Sequence, residues 1–370
     1  MKNKCKRRAG VWLYAFLISL FFAALGLSAL AARFPGAVER FYSRGLYPLL
    51  AVPLATISRL TGFSLAQFLI PAAALALVVL FALECARAVR RKEPVRFLRA
   101  GATVLAALSC VYFAFVAMWA LNYNRQPLSH TLGYGEETPT AEDMVSLFEK
   151  LTDEINTLAN EVDFGEDGSS YYRKGKNALL DAVWSGYENL KNVNPDLYRV
   201  RGRIKQVVGS HYMGYTGISG VYICFTGEPN VNGALPHFAL AFTAAHEAAH
   251  LQGFAREDEA NFIAYLALRE SDDPYLRYCG AASMYRYLAG DVAATDPQGY
   301  QRIAPLLCRR VAGEFAAYSA FLKQYESPVQ QVAQKVNNAY LESQGQQGGT
   351  LTYGYVTRLL VADYVHGKNG

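Results

Sequence analysis

Residues 246–250 read His-Glu-Ala-Ala-His, a pattern that can hold a metal ion on one face of a helix. The composition around them predicts a helix that ends at Gly253. Since residues four apart lie on the same helix face, His246 and His250 can bind one Zn²⁺, and Glu247 can take a proton from the metal-bound water. The pattern thus predicts zinc-assisted hydrolysis of peptide bonds. A helix with ordinary surface or core histidines is the alternative.

A catalytic zinc site needs a third protein ligand, and the segment that follows offers two glutamates. A new helix beginning near Arg256 would turn Glu257 back toward the metal from its first turn. Asn261, four residues later on the same face, can accept the free ring N–H of a histidine ligand. Glu259 points to roughly the opposite face, so it remains the alternative third ligand. A third histidine six residues after His250 is excluded, because Arg256 occupies that position.

A strand and two side chains upstream of the motif can serve the same reaction. Residues 217–226 are predicted to form an edge strand beside the metal-binding helix, which would receive an extended substrate through main-chain hydrogen bonds. A plain structural hairpin is the alternative. His211 and Tyr215 can each donate a hydrogen bond to the oxyanion that develops during attack on a carbonyl. An ordinary surface or core role stays open for both.

Three long apolar stretches precede these residues. The chain has 370 residues, of which 52% are hydrophobic and 18% charged, a composition that excludes a disordered protein. About 20 apolar residues are enough to span a bilayer, and transmembrane helices are predicted at about 9–32, 62–84 and 100–122. The first stretch is longer than the roughly 7–15 apolar residues of a signal peptide, so it is predicted to remain as a span.

Charge is distributed unevenly along the chain. Residues 1–125 contain 16 Lys and Arg but only 3 Asp and Glu, whereas the remainder contains 20 and 28. The positive residues cluster before the first span and between the second and third, which is typical of membrane topology signals and argues against nucleic-acid binding. Both clusters are therefore expected in the cytoplasm. This orientation places the amino terminus inside and the chain after about residue 125 outside the cytoplasmic (plasma) membrane.

The predicted organisation is a membrane domain at 1–125, a linker at 126–139 and an extracytoplasmic domain at 140–370. Helical spacing of apolar residues dominates the last of these and resumes from Leu235 to near the end of the chain. The fold class predicted is a membrane protein with three amino-terminal transmembrane helices and a mainly α (α+β) outer domain with a small sheet.

Within the outer domain, local signals predict three elements. Thr140 followed by Asp143 resembles a capping box, and helical spacing then continues to about residue 160. A second helix is predicted near 176–192. Residues 214–232, rich in Gly, Val, Ile, Tyr and Phe, are predicted to form a strand or hairpin.

The motif and its downstream glutamate together resemble the gluzincin arrangement, HExxH plus Glu. Glu257-Asp258-Glu259-Ala260-Asn261 is similar to the Glu-x-x-Ala-Asp/Asn element of HtpX-type and prenyl-protein-type membrane zinc peptidases. The resemblance implies a zincin-like fold with Glu257 as third zinc ligand. Those two families carry Asp where this chain has Asn261, although a similar element with Asn occurs in ImmA/IrrE-type peptidases. The link from His250 to Glu257 is unusually short.

Over most of its length the chain resembles an uncharacterised bacterial membrane family, domain of unknown function 3810. That resemblance implies a metallopeptidase-like outer domain in a bacterial membrane and gives no substrate. It is carried by the basic start, the three spans, Leu121-Asn122-Tyr123, the stretch 214–232, Asn261-Phe262-Ile263-Ala264-Tyr265-Leu266 and the closing Thr352-Tyr353-Gly354.

The function expected from these features is that of a membrane-anchored zinc metallopeptidase on the outer side of the membrane. His246, His250 and Glu257 would bind Zn²⁺, and Glu247 would act as general base and then as proton donor to the leaving amine. Expected partners are a peptide or protein substrate and the lipid bilayer, not nucleic acid. Two alternatives stay open: a zinc-containing membrane sensor, which would need a membrane partner protein, and a peptide- or cell-wall-binding module without turnover.

Overall fold

The computed structural model of this chain describes residues 2–134, 140–346 and 353–369. The last five residues of the predicted linker, 135–139, lie outside the described residues, as does Thr352 of the closing motif.

The chain divides into two compact units, and each contains two segments of sequence. The first unit is Met1–Leu50 with Leu65–Arg125, and the second is Ala51–Ser64 with Gln126–Gly370. The segment between the first two spans, predicted as part of the membrane domain 1–125, thus contributes residues 51–64 to the second unit.

The first unit consists of helices joined by short turns. Three of its helices, α1 from Val11 onward, α4 and α5, are long and apolar enough to cross a membrane. This confirms the prediction of three apolar helices near the amino terminus. The helices, with part of α3 belonging to the second unit, are α1 (Lys2–Arg33), α2 (Pro35–Ala37), a π-helix (Val38–Leu46), α3 (Tyr47–Ser58), α4 (Ala66–Arg91), α5 (Val95–Met118) and a 3-10 turn (Ala120–Asn124).

The second and third apolar helices are displaced from their predicted positions. Helix α4 continues to Arg91 and α5 already begins at Val95, so both include basic residues that the prediction left in a loop. Glu84 of α4 pairs with Arg96 of α5, with 3.1 Å between the carboxylate and the guanidinium. Because such pairs satisfy the charges, the basic residues can remain within regular helix.

Glu39, after α1, and Arg125, after α5, form a buried ion pair. Arg125 donates to both carboxylate oxygens at 2.8 Å, and no more than 5% of either side chain is exposed. Two apolar helices separate these residues in sequence. The pairing therefore brings the residues that follow α1 and α5 together within the first unit.

The second unit is mainly helical, as predicted. Its capping box is confirmed: Thr140 accepts from the Asp143 N–H, and the Asp143 carboxylate accepts from the Thr140 N–H. The helices, in addition to 3-10 turns at Pro195–Leu197 and Ala304–Leu306, are α6 (Leu128–Leu132), α7 (Ala141–Leu158), α8 (Gly175–Val193), α9 (Ser210–Gly214), α10 (His237–Leu251), α11 (Glu257–Arg269), α12 (Pro274–Thr295), α13 (Pro297–Ile303), α14 (Arg309–Lys323), α15 (Pro328–Ser343) and α16 (Tyr353–Asn369).

Two small sheets complete the second unit. The first pairs β1 (Asp163–Phe164) antiparallel with β2 (Ser170–Tyr171). The second has the order β3-β5-β4, in which β3 (Lys205–Gln206) is parallel and β4 (Gly220–Ile223) antiparallel to β5 (Glu228–Val231).

The predicted hairpin is confirmed by β4 and β5, but its predicted start at Gly214 is wrong. Gly214 is the last residue of helix α9. A β-carbon there would lie 2.5 Å from the Tyr325 ring, so the glycine allows the short helix to approach that side chain closely.

Helix α10 lies at the centre of the second unit. It packs against β4 and β5 and against α8, α11 and α12. Small residues make this close packing feasible, since the helix carries six buried alanines (Ala239, Ala241, Ala244, Ala245, Ala248, Ala249). The histidine motif therefore lies on a helix that is packed on several sides.

Candidate metal centre

The end of helix α10 fixes the position of the second motif histidine. Gly253 has a left-handed backbone (φ 87°), and its N–H donates to the His250 carbonyl at 2.8 Å while the Phe254 N–H reaches the Ala249 carbonyl at 3.3 Å. This is a Schellman motif, which requires a residue that tolerates positive φ. The turn brings the Phe254 carbonyl within 2.7 Å of the His250 Nδ1. His250 therefore donates its Nδ1–H there, leaving Nε2 for another partner.

This turn connects α10 to α11, which begins at Glu257. One carboxylate oxygen of Glu257 lies 3.2 Å from the Nε2 of His246, and the other lies 3.7 Å from the Nε2 of His250. The two imidazole centroids are 4.6 Å apart. One ligand atom from each of the three side chains falls within 4.8 Å of the others. The structure thus brings together all three residues assigned to the metal.

Asn261, one helical turn after Glu257, lies on the same face of α11 as the sequence spacing requires. Its amide oxygen is 2.8 Å from the Nδ1 of His246. Both motif histidines therefore have an oxygen acceptor on Nδ1 and direct Nε2 toward Glu257. Metal-binding histidines in proteins commonly have this arrangement, because the acceptor fixes the ring and its tautomer.

Two imidazoles and one carboxylate are donor types that zinc accepts. Zinc bonds to nitrogen and oxygen of about 2.0–2.2 Å at tetrahedral angles put ligand atoms about 3.3–3.6 Å apart. Here one Glu257 oxygen lies 3.2 Å from the His246 Nε2 and the other 3.7 Å from the His250 Nε2, and the three ligand atoms, one from each residue, lie within 4.8 Å of one another. Two imidazoles and one carboxylate also leave a fourth position open, as catalytic zinc sites do.

The three grouped side chains influence one another's protonation. Burial opposes a charge on Glu257, but the hydrogen bond with His246 and the nearby imidazoles outweigh it and lower the pKa of Glu257 to about 2. Burial lowers the pKa of His250 to about 4, and the charge of His246 acts in the same direction. His250 is therefore neutral and Glu257 ionised at pH 7, which are the forms that bind metal ions. Burial opposes a charge on His246, but the hydrogen bond with Glu257 outweighs it and raises the pKa of His246, so a bound metal ion would displace a proton from this imidazole.

Glu247 is buried beside this cluster, with only 4% of the residue exposed. The Tyr222 backbone N–H donates to its carboxylate, while its Oε2 has no hydrogen-bond partner among the described residues. Burial raises the pKa of Glu247 to about 8, and the charge of Glu257 contributes in the same direction. A buried carboxyl with unused hydrogen-bonding capacity and a pKa near neutrality can both accept and return a proton.

Strand β4 lies at the edge of its sheet next to Glu247. The Ser219 carbonyl accepts from the Asn232 N–H at 2.7 Å, and backbone pairing alternates along the strand. The backbone groups of Gly220 and Tyr222 therefore face away from β5, toward the free edge. Of the predicted substrate strand, 217–226, only β4 (Gly220–Ile223) is strand, because the chain turns at 224–227 into β5, and the open edge of β4 lies beside Glu247.

Glu259, the alternative third ligand, does not join the cluster. Its carboxylate accepts from the Leu128 N–H at 2.8 Å and lies 3.7 Å from the guanidinium of Arg256. The side chain is buried on another face of α11 from Glu257, as two-residue spacing on a helix dictates. Its contacts hold α6 and the start of α11 together.

His211 and Tyr215, the two candidates for oxyanion stabilisation, form an aromatic cluster with Tyr325 instead. The His211 Nδ1 is 3.0 Å from the Tyr325 hydroxyl, and both rings pack edge-on against that of Tyr215. Among the described residues no contact joins either side chain to the His/Glu cluster. The structure therefore gives no support to a role for them at the metal centre.

Sequence analysis missed two residues that shape the site. A β-carbon at Gly220 would clash with the Glu247 carboxylate, so this glycine makes room for the acid. A glycine inside a strand pattern is a signal of such close approach. Tyr187 of α8 donates its hydroxyl to the Ala245 carbonyl of α10 at 2.6 Å and fixes the helix just before the motif. A tyrosine at amphipathic spacing looks like an ordinary core residue, so the sequence carried no signal for this role.

Comparisons with known proteins gave one match. The family described as Protein of unknown function (DUF3810) matches residues 42–361. No curated protein and no solved structure matches the chain.

Proposed function

The chain belongs to the family of unknown function DUF3810, and we propose that it is a membrane-anchored zinc metallopeptidase of the gluzincin type. In this proposal the second unit has a zincin-like fold and lies outside the cytoplasmic membrane of a bacterium. His246, His250 and Glu257 would bind the zinc ion, and Glu247 would be the general base. The substrate is a peptide or protein.

One observation carries the proposal. Two imidazole Nε2 atoms and the Glu257 carboxylate converge within 4.8 Å of one another, while both Nδ1 atoms are engaged with oxygen acceptors. A buried network without a metal role would be expected to satisfy its polar atoms internally. Here the adjacent Glu247 is left with a carboxylate oxygen that lacks a partner.

When bound, zinc supplies a Lewis acid for a carbonyl oxygen and an acidified water as nucleophile. Glu247 removes the proton of the attacking water and transfers it to the nitrogen of the leaving amine. Its buried position excludes bulk water, so the proton is not lost on the way. Gly220 keeps space open for the carboxylate during both transfers.

The free edge of β4 would position the substrate. The backbone of Gly220 and the Tyr222 carbonyl point to this edge, where an extended peptide can add as a further strand, while the Tyr222 N–H is already donated to Glu247. Main-chain pairing would hold the peptide irrespective of its sequence. The scissile bond would then lie beside Glu247, whose carboxylate is in contact with the same strand.

The test measures zinc per polypeptide in the full-length protein purified in detergent. The full chain is needed because Lys205 and Glu228, both buried, contact Thr61 and Ser64, which a protein truncated at residue 126 would lack. About one zinc in the parent protein is expected. Glu257→Ala should remove most of it, whereas Glu259→Ala should retain it.

Two results would overturn the proposal. A folded parent protein that binds no zinc after dialysis against the metal is one of them. The other is equal zinc content in Glu257→Ala and the parent. The Glu259→Ala protein serves as the matched control, because it removes a buried carboxylate from the same helix turn without touching the cluster.

A further inference from the structure

The segment Ala51–Ser64, which lies between the first two apolar helices in sequence, is built into the second unit on one side. Lys205 and Glu228 form an ion pair with no exposed side-chain surface. The Lys205 ammonium donates to the Thr61 hydroxyl at 2.8 Å, and the Ser64 hydroxyl approaches Glu228 at 3.5 Å. The segment therefore cannot leave the second unit without breaking a buried polar network.

The turn before β5 strengthens this attachment. Gly227 has a positive φ of 64°, and a β-carbon there would lie 2.7 Å from the Ala55 backbone nitrogen. The turn thus packs directly on the backbone of α3, and Ala55 itself is fully buried. Ala55, Thr61 and Ser64 of the segment are therefore in contact with other residues of the second unit.

Three large apolar side chains of the segment are exposed. Ile57, Leu60 and Phe63 have 59%, 84% and 47% of their surface accessible. Arg59 and Arg203 are exposed nearby, and the Arg203 guanidinium lies beside Gly62. Large apolar side chains combined with cations are typical of surfaces that lie in the interface of a membrane with anionic lipids.

Chain continuity identifies the occupant of this surface. Phe63 is three residues before Ala66, the first residue of a helix long and apolar enough to cross a membrane. Three residues span at most about 11 Å even when fully extended. Phe63 is therefore within reach of the headgroup layer in which that helix begins.

We infer that Ile57, Leu60 and Phe63, flanked by Arg59 and Arg203, dock onto the bilayer. The apolar side chains enter the boundary between headgroups and acyl chains, and the guanidinium groups contact anionic phospholipid headgroups. The second unit thereby contacts lipid through its own side chains as well as through the covalent connection. This inference does not depend on the proposed peptidase activity.

Helix α15 provides a matched control. Val329, Val332 and Val336 are similarly exposed, at 57%, 62% and 66%, and lie on one face of the helix. Among the described residues, the helices long enough to cross a membrane all end before residue 119, so the two surfaces share exposure but differ in distance along the chain from an apolar helix.

The experiment places the photoreactive residue benzoylphenylalanine at position 60, 332 or 75 of the full-length protein. Each protein is reconstituted in nanodiscs of phosphatidylethanolamine and phosphatidylglycerol, irradiated, and analysed for lipid adducts by mass spectrometry. Leu75, 64% exposed within α4, is the positive reference. The expected lipid adduct yield at position 60 is close to that at position 75 and several-fold above that at position 332.

A lipid adduct yield at position 60 no higher than at position 332 would overturn the inference. So would irradiation of cells that gives a protein adduct at position 60 in place of lipid. Leu60→Trp and Val332→Trp provide a second readout that needs no cross-linker. Brominated acyl chains should quench the added fluorescence at position 60 and leave that at position 332 unchanged.

Discussion

Glu247 and Glu228 are both buried carboxylates of the second unit, with no more than 4% of either residue exposed, yet their surroundings differ. Glu228 is paired with Lys205 and accepts from the Thr226 hydroxyl at 2.9 Å. Glu247 lies beside two imidazoles and a second carboxylate, and its Oε2 lacks a partner. The difference teaches that burial of an acid does not by itself mark a reactive site. The role proposed for Glu247 rests on unused hydrogen-bonding capacity together with its place beside His246, His250 and Glu257.

The strongest test of this distinction is Glu247→Gln. We expect turnover of a cleavable peptide to fall by at least about 10²-fold, since general acid–base catalysis contributes about that much or more. The amide is isosteric with the carboxyl, so the melting temperature and the zinc content should stay close to those of the parent. The measurement combines peptide hydrolysis, calorimetry and metal analysis on one preparation. Unchanged hydrolysis would show that Glu247 is not the base.

The opposite outcome is expected at Glu228. Removal of one partner of a buried ion pair leaves an uncompensated charge and costs about 3–5 kcal/mol of unfolding free energy. Lys205→Met should therefore strongly destabilise the protein, and Lys205→Met combined with Glu228→Leu should recover much of the loss. Thermal unfolding of the two proteins in the same detergent provides the comparison. If the single and double variants unfold alike, Glu228 does not depend on Lys205 for its charge.

Asn261→Ala tests whether the hydrogen bond from His246 to Asn261 supports metal binding by the His/Glu cluster. Loss of a partner that orients a histidine ligand typically lowers metal affinity by about 10–100-fold. We expect zinc competition with a chelator to show a loss of that order, while Asn160→Ala, an exposed substitution elsewhere, leaves the affinity unchanged. Equal zinc affinity in the Asn261→Ala protein would mean that the Asn261 hydrogen bond does not orient His246.

The smallest expected effect concerns Glu314, a third buried acid. It accepts from Tyr278 and, at 2.7 Å, from Ser170, yet burial raises its pKa above the usual 4.5. A raised carboxyl pKa means that the folded state binds more protons, so its contribution to the unfolding free energy falls as pH rises from about 4.5. The slope is at most about 1.4 kcal/mol per pH unit.

This dependence should diminish in the Glu314→Gln protein, and denaturant titrations of the two proteins between pH 4.5 and 7.5 would measure it. An identical slope in parent and variant would contradict the prediction. The result bears on the comparison because it separates a raised pKa, which Glu314 and Glu247 share, from reactivity.

Local sequence patterns predict the helical elements well where the signal lies within a few residues. The capping box at Thr140, the helix around His246 and the hairpin before it are all found. The i,i+4 spacing also places Glu257 and Asn261 on one face of α11. These predictions are confirmed because the periodicity of a helix or strand determines which nearby side chains share a face.

Contacts between distant segments could not be predicted in the same way. Ser64 and Glu228 are 164 residues apart, and nothing in either local pattern indicates that they meet. The space that Gly220 leaves for Glu247 depends on how the sheet packs on α10. The partners of His211 and Tyr215 come from the region around Tyr325, over 100 residues downstream. Tertiary packing decides such contacts, and a single sequence does not record it.

The two-segment composition of the second unit has a consequence for biosynthesis. Residues 51–64 leave the ribosome long before Glu228, with which they share a buried network. At about 5–20 residues per second, 164 residues take roughly 8–30 s to synthesise, and helices α4 and α5 are made in the interval. In the proposed topology, the second unit therefore completes its fold only in a polypeptide whose later apolar helices have been inserted with residues 51–64 on the same side of the membrane as residues 126–370. An inserted chain with the wrong topology would leave Lys205 and Glu228 without Thr61 and Ser64, so cellular quality control could detect the error as an unfolded domain.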